Sequence, residues 1–291
     1  MPKLVLHAAS ERQLTSFAAR PSHGLILLGV EGAGKGAVAR GLVGRLLNLP
    51  DEVALEKYPY VKIVVPDGQS ISIDAVRDML RFTKLQVTGD GDTRRAIVIE
   101  QAHLLTIEAQ NALLKLLEEP PAGTVLVLTA ASGQALLPTI CSRAQIITLL
   151  PPAQAALGDF FVAQGYAPAA VRQAYLMSGG LPGLMHALLE NSNEHPLVRA
   201  AKQARELVAA DRFSRLVLVD ALAKQRVECG RVLFVLQQMA HAALQQSAAK
   251  TSGDRTFKQW QRVLAAAYDA ETALQANAQP KLVLTNFMLT L

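Results

Sequence analysis

In the first half of the chain, short apolar runs alternate with longer stretches whose apolar positions recur at helical spacing. The runs lie at 25–28, 61–65, 96–99 and 124–129 and are nearly continuous in Leu, Ile and Val, the pattern of strands covered on both faces. Helical patterns cover 4–20, ended by Pro21, then 37–47, then 73–85, with Ser70 or Ser72 as a cap. A further helix follows Thr106, a suitable N-cap, with Glu108 in its first turn at the positive end of the helix dipole. Ala109, Ala112, Leu113, Leu116 and Leu117 line one face of it, and Pro120 and Pro121 end it. Residues 88–93, with Gly89 and Gly91, read as a turn. Strand, helix, strand across 96–129 is a βαβ unit, so the sheet is expected to be parallel. Ligands of open parallel sheets sit beyond the carboxyl ends of the strands, where Glu100, Gln101 and Thr129 stand.

The pattern changes at Leu149-Leu150-Pro151-Pro152. Beyond it the periodicity is helical throughout. Helices are expected over 153–164, 167–178 and 184–189, interrupted by the break at 179–183. Five more follow over 196–210, 214–224, 229–247, 257–276 and 280–291, with Gly253 and Asp254 in a loop. This divides the chain into an α/β core at 1–150, a small helical region at 151–194 and an all-α region at 195–291. The apolar faces of the last region are extensive enough to pack against each other and against a partner.

With 51% hydrophobic and 18% charged residues the chain reads as globular. Cys141 and Cys229 form no CxxC pair, and no apolar run reaches the roughly 18 residues of a membrane span. With no leader-like segment at the start, a cytoplasmic protein without a membrane is expected. The net charge is +5, and residues 195–291 supply the excess, with 13 Lys and Arg against 7 Asp and Glu. Such an excess suits DNA or an acidic partner, and equally a solvated helical face.

The run at 25–28 leads into Gly29-Val30-Glu31-Gly32-Ala33-Gly34-Lys35-Gly36 and then a helix. Strand, glycine-rich loop and helix form the setting of a P-loop, whose amides and helix N-terminus favour phosphate, with Lys35 reaching its far end. The position after the lysine calls for a Ser or Thr hydroxyl to ligate magnesium, and here it is Gly36. A second site element belongs at the end of a later strand. The run at 96–99 ends in Glu100-Gln101, where a working ATPase of the common type has two acids. An amide does not accept a proton near neutral pH, so Gln101 is no general base. Two independent motifs are thus degraded in the same sense. His103 is the one histidine near this site, and a local hydrogen-bonding role fits it.

The segments Ala102-His103-Leu104-Leu105-Thr106, Ala109-Gln110-Asn111-Ala112-Leu113-Leu114-Lys115 and Leu117-Glu118-Glu119-Pro120-Pro121 resemble the signature of clamp-loader AAA+ subunits. Ser142-Arg143 resembles the start of their Ser-Arg-Cys motif, with Ala144 in place of the cysteine. The resemblance covers the whole chain and implies an AAA+ core, a helical lid and a helical collar that oligomerises. Within the family the chain is more similar to the delta-prime type than to the hydrolysing gamma/tau type. Both nucleotide motifs are degraded, and Ser178-Gly179-Gly180-Leu181-Pro182-Gly183 lacks the arginine that gamma-like lids carry. The four-cysteine module of many relatives has no counterpart in the short stretch 48–58, so no zinc is expected.

The resemblance implies a heteropentamer with gamma/tau-type and delta-type subunits, acting on a sliding clamp and primer–template DNA within a DNA polymerase III replicase. It implies that Arg143, with Ser142, serves as an arginine finger in a neighbour's ATP site, with Thr129 at the sensor 1 position. Gly29, Gly32, Gly34, Lys35 and Gly36 form the degenerate P-loop, beside Glu100 and Gln101. No cofactor is required, no metal is expected, and ATP or ADP binding is left open. Three other readings stand: a gamma/tau-type ATPase motor, a scaffold with an idle Arg143, and a small-molecule kinase. The last needs an arginine-rich lid, and 151–194 holds only Arg172.

Overall fold

The four apolar runs become strands because each places alternate side chains on two covered faces. In the computed structural model, which describes residues 5–66, 70–87, 92–190, 192, 195–248 and 255–290, they are joined by a fifth. Strands β1 (Gly24–Leu28), β2 (Val61–Val64), β3 (Arg95–Ile99), β4 (Thr124–Ala130) and β5 (Gln145–Thr148) form one parallel sheet in the order β2-β3-β4-β1-β5. The helices of this unit are α1 (Ala8–Ala19), α2 (Lys35–Leu46), α3 (Glu52–Lys57), α4 (Ile73–Thr83), α5 (Ile107–Glu118) and the single turn α6 (Pro138–Cys141).

The period of two along each strand splits the core. Ile26, Ile97, Ile99, Leu126 and Leu128 pack with Val76 and Met79 of α4 and Leu113, Leu116 and Leu117 of α5. Leu25, Leu27, Ala96, Val98, Val125 and Val127 face the other way, onto Leu14 and Phe17 of α1 and Val38, Leu42 and Val43 of α2. Arg95 opens β3 fully buried. Its guanidinium donates to the carbonyls of Thr83 and Leu85 at the end of α4 and lies 5.6 Å from the Phe82 ring centre. Thr106 caps α5 as expected, its hydroxyl accepting from the Ala109 N–H at 3.2 Å, whereas Ser72 stands at the N-cap of α4 without a side-chain bond.

Residues 153–291 form a second compact unit, all helical among its described residues. It comprises α7 (Gln154–Ala163), α8 (Pro168–Ser178), α9 (Pro182–Leu189), α10 (Pro196–Ala209), α11 (Arg212–Leu222), α12 (Arg226–Ala248), α13 (Arg255–Gln275) and α14 (Pro280–Thr290). The helices expected of a lid and of a collar both fall within it. The break after α8 has a steric cause. Gly179 has φ +64°, and a Cβ there would meet Gln238 Cβ of α12 at 2.7 Å. Residues 88–91 of the expected turn, and Gly253 and Asp254 of the expected loop, lie outside the described residues.

Candidate functional site

Three adjacent strands, β3, β4 and β1, end at one rim of the sheet. They bring Glu100 and Gln101, Thr129, and the loop from Gly29 to Lys35 together there. The Gly29 N–H donates to the Ala130 carbonyl at 3.2 Å, which pins the loop to β4. Gly32 and Gly34 both have φ +81°, a backbone that side chains disfavour, so the loop needs its glycines. Helix α2 starts at Lys35, whose ammonium folds back to donate to the carbonyls of Gly29 at 2.6 Å and Val30 at 2.8 Å. Burial pushes the Lys35 pKa down to about 8, with Glu31 partly opposing.

Gly36 is the second residue of α2, and Glu100 lies directly against it. A Cβ at Gly36 would be 3.0 Å from Glu100 Oε1 and 3.1 Å from its Cδ and Oε2. Glu100 Oε1 is also 2.7 Å from Nη2 of Arg40, one helical turn further along α2. Gln101 turns the chain left-handed at φ +53° and donates its N–H to the Thr129 hydroxyl at 3.0 Å. Thr129 is buried, and through this bond it braces β4 against the end of β3. Burial, then the Lys35 charge, lowers the His103 pKa against an opposing pull from Glu31, which keeps its ring neutral near pH 7. Among the described residues no group of three or more His, Cys, Asp or Glu side chains gathers to hold a metal.

Ser142 and Arg143 lie elsewhere. They precede β5, and Gln145 at its start pairs with Leu25 near the start of β1. Ala144 sits against Gly24, where a Cβ would be 3.2 Å from the alanine Cβ. Arg143 is therefore at the amino rim of the sheet and the P-loop at the carboxyl rim. The five residues of β1 separate them, about 16 Å of strand. The Arg143 guanidinium makes an ion pair with Glu118 Oε1 at 2.9 Å and donates to the Thr139 carbonyl at 3.1 Å. The Ser142 hydroxyl donates to the same carbonyl at 3.1 Å. Buried Gln110 fixes the turn that carries them: its amide oxygen accepts from the Leu137 N–H at 2.8 Å, and its NH₂ donates to the Leu105 carbonyl at 3.3 Å.

The sequence reading thus grouped the loop, Glu100, Gln101 and Thr129 at one rim, and the structure brings these together, with Arg143 apart. It missed Arg40 and Glu118. A signal existed for the first, since Arg40 lies four positions after Gly36 and so on the same face of a helix. Glu118 was visible only as part of a signature, and its partner is 25 residues away.

The profile of the family "DNA polymerase III, delta subunit" matches residues 11–153. The delta' subunit of DNA polymerase III from Pseudomonas aeruginosa is 33% identical over 181 residues, covering 56% of this chain and 55% of that protein. The gamma/tau subunit of DNA polymerase III from Mycobacterium tuberculosis is 27% identical over 161 residues, covering 50% of this chain and 28% of that protein. The chain therefore spans about half the length of the first of these relatives and about a quarter of the second. A DNA polymerase III gamma subunit-related protein of Thermotoga maritima shares the fold, with a TM-score of 0.53 at 19% identity over 95% of this chain and 97% of that one. Over residues 11–153 the chain is similar to the DNA polymerase III delta subunit family, the clamp-loader family that its motifs resemble.

Proposed function

We propose that this chain is a delta-prime-type clamp-loader subunit of a DNA replicase. It hydrolyses ATP poorly or not at all by itself and supplies Arg143 to the ATP site of a neighbouring subunit. The observation that carries this reading is the placement of Arg143 at the rim opposite the chain's own P-loop. An arginine so placed has no access to its own loop and is free to serve another. Its chemistry suits the role. A guanidinium holds a fixed positive fork that matches the oxygens of a transferring phosphoryl group and stabilises the charge that develops there. Glu118 and Thr139 hold that fork ready on a half-exposed surface, and a phosphate oxygen takes over from Glu118 on docking.

The degraded half of the reading rests on Gly36 and Gln101. Neither supplies the hydroxyl ligand or the acid of a working site. The reading requires no cofactor and no zinc. It assigns gamma/tau-type and delta-type subunits as partners in a heteropentamer, and the sliding clamp and primer–template DNA through that assembly, in the cytoplasm. Relatives of both delta' and gamma/tau kinds support the assignment. Among the described residues no helix is long and apolar enough to cross a membrane.

The test is an Arg143→Ala variant in the assembled loader. DNA-stimulated ATP hydrolysis at the neighbouring site is expected to fall by about 10³-fold or more, with assembly unchanged on gel filtration. Undiminished hydrolysis by an intact assembly refutes the role. The gamma/tau relatives favour a second reading, an ATPase motor, which predicts turnover by the isolated chain with magnesium.

A further inference from the structure

The family resemblance implies a magnesium–nucleotide site at the P-loop, and three residues decide whether one fits. A P-loop magnesium takes the hydroxyl of the residue after the lysine as a ligand and sits beside the acid at the end of a later strand. Magnesium also demands near-ideal octahedral geometry with oxygen ligands. Here the hydroxyl position is Gly36, and the space its side chain would take is filled by the Glu100 carboxylate, whose atoms lie 3.0–3.1 Å from an added Cβ. That carboxylate is 2.7 Å from the Arg40 guanidinium. Positions 36 and 40 share one face of α2, so the helix shows β3 a bare backbone at one turn and a cation at the next. Glu100 lies across both.

We infer that Arg40 is the resident cation of this site, and that Gly36, Glu100 and Arg40 together exclude magnesium from it. The residues do not fit a divalent ion. A guanidinium has no lone pair to offer a metal, and a metal brought to Glu100 meets its positive charge. The missing hydroxyl and the arginine one turn on are two halves of one arrangement. Glycine leaves room for the carboxylate to lean over α2, and the arginine holds it there. It follows that restoring the hydroxyl alone does not restore the metal. A serine at 36 pushes into a carboxylate that Arg40 still holds. Metal binding returns only when Arg40 is removed, and it is strongest when the hydroxyl is restored as well. This inference is independent of Arg143: either can fail while the other stands.

The experiment uses the purified full chain with Mn²⁺ as probe, read by loss of the free-ion electron paramagnetic resonance signal, with and without ADP. Thermal unfolding is followed in parallel with Mg²⁺ or with a chelator. For the natural chain no Mn²⁺ uptake beyond that of ADP itself is expected, and no Mg²⁺-dependent change in Tm. Gly36→Ser is expected to behave the same way at a lower Tm. The Gly36→Ser, Arg40→Ala pair is expected to take up Mn²⁺ with ADP and to gain about 5 °C in Tm with Mg²⁺ when ADP is near a hundredfold excess over its Kd. Metal-dependent binding by the natural chain or by Gly36→Ser alone overturns the inference. So does a folded double variant that binds no better than the single one. Should the double variant lose its circular dichroism signal, Arg40→Gln decides: it is expected to take up Mn²⁺ where the natural chain does not, and equal behaviour of the two overturns the inference.

Discussion

Lys35 is held in its charged form against the preference of its surroundings. Its pKa is about 8 in the folded chain and 10.5 in the unfolded one, because burial disfavours the ammonium. The folded state sheds its proton first, so between these values the unfolded state binds more protons. Stability owed to this residue therefore rises as pH climbs through that window, and the cost is fully present below pH 8. Lys35→Met is expected to stabilise the chain at pH 7 by about 1–3 kcal/mol, read from denaturant midpoints. That advantage should shrink between pH 8 and 10.5, and a constant difference across the range refutes the account. That the loop and the strand-end acid gather at one rim was legible at this scale, because a glycine-rich loop and a strand-end acid are local patterns. Their pairings were not. Arg40 meets Glu100 across 60 positions, and the short rise of a helix makes Arg40 a neighbour of Gly36 only once the helix exists.

Among the elements, α5 does more than fill the core. Gln110 is buried on it, and its amide spans from Leu105, just before that helix, to Leu137, just before α6. The turn bearing Ser142 and Arg143 thus hangs from α5 at both ends, at Gln110 and at Glu118. Gln110→Leu leaves the Leu137 N–H and the Leu105 carbonyl without this partner and is expected to cost ~1–3 kcal/mol. Amide exchange at Leu137 should accelerate while β3 and β4 stay protected, and unchanged exchange there rules the tether out. Strands β1 to β4 were legible because each is an apolar run. Strand β5 was not, since in Gln145–Thr148 only Ile147 is buried and an edge strand needs no continuous run. The six-residue α3 escaped for want of two full turns of periodicity.

For the whole molecule, the division near Pro152 was legible in a proline pair and a change of periodicity. Which faces stay uncovered was not, because apolar helices look alike until they are packed. On α11, Phe213 is 77% and Val217 59% exposed, one turn apart, and on the neighbouring α14 Leu282 and Leu289 are as open. Lys281 joins the two helices through Asp220 at 2.7 Å. Changing Phe213 and Val217 to serine is expected to leave Tm within about 2 °C and to weaken the proposed assembly with gamma/tau-type and delta-type subunits about tenfold. Full-strength assembly removes this face from the interface.

The opposed rims of the sheet set an arithmetic for that assembly. One rim carries an arginine paired with Glu118, and the other carries the glycine-rich loop beside the Arg40–Glu100 ion pair. In the proposed assembly, subunits joined rim to rim form a series with a direction, and this one donates without receiving. The junction at its arginine is served, and the junction at its own loop is silent. Such an assembly has fewer working sites than contacts, and the silent contact marks where the series begins.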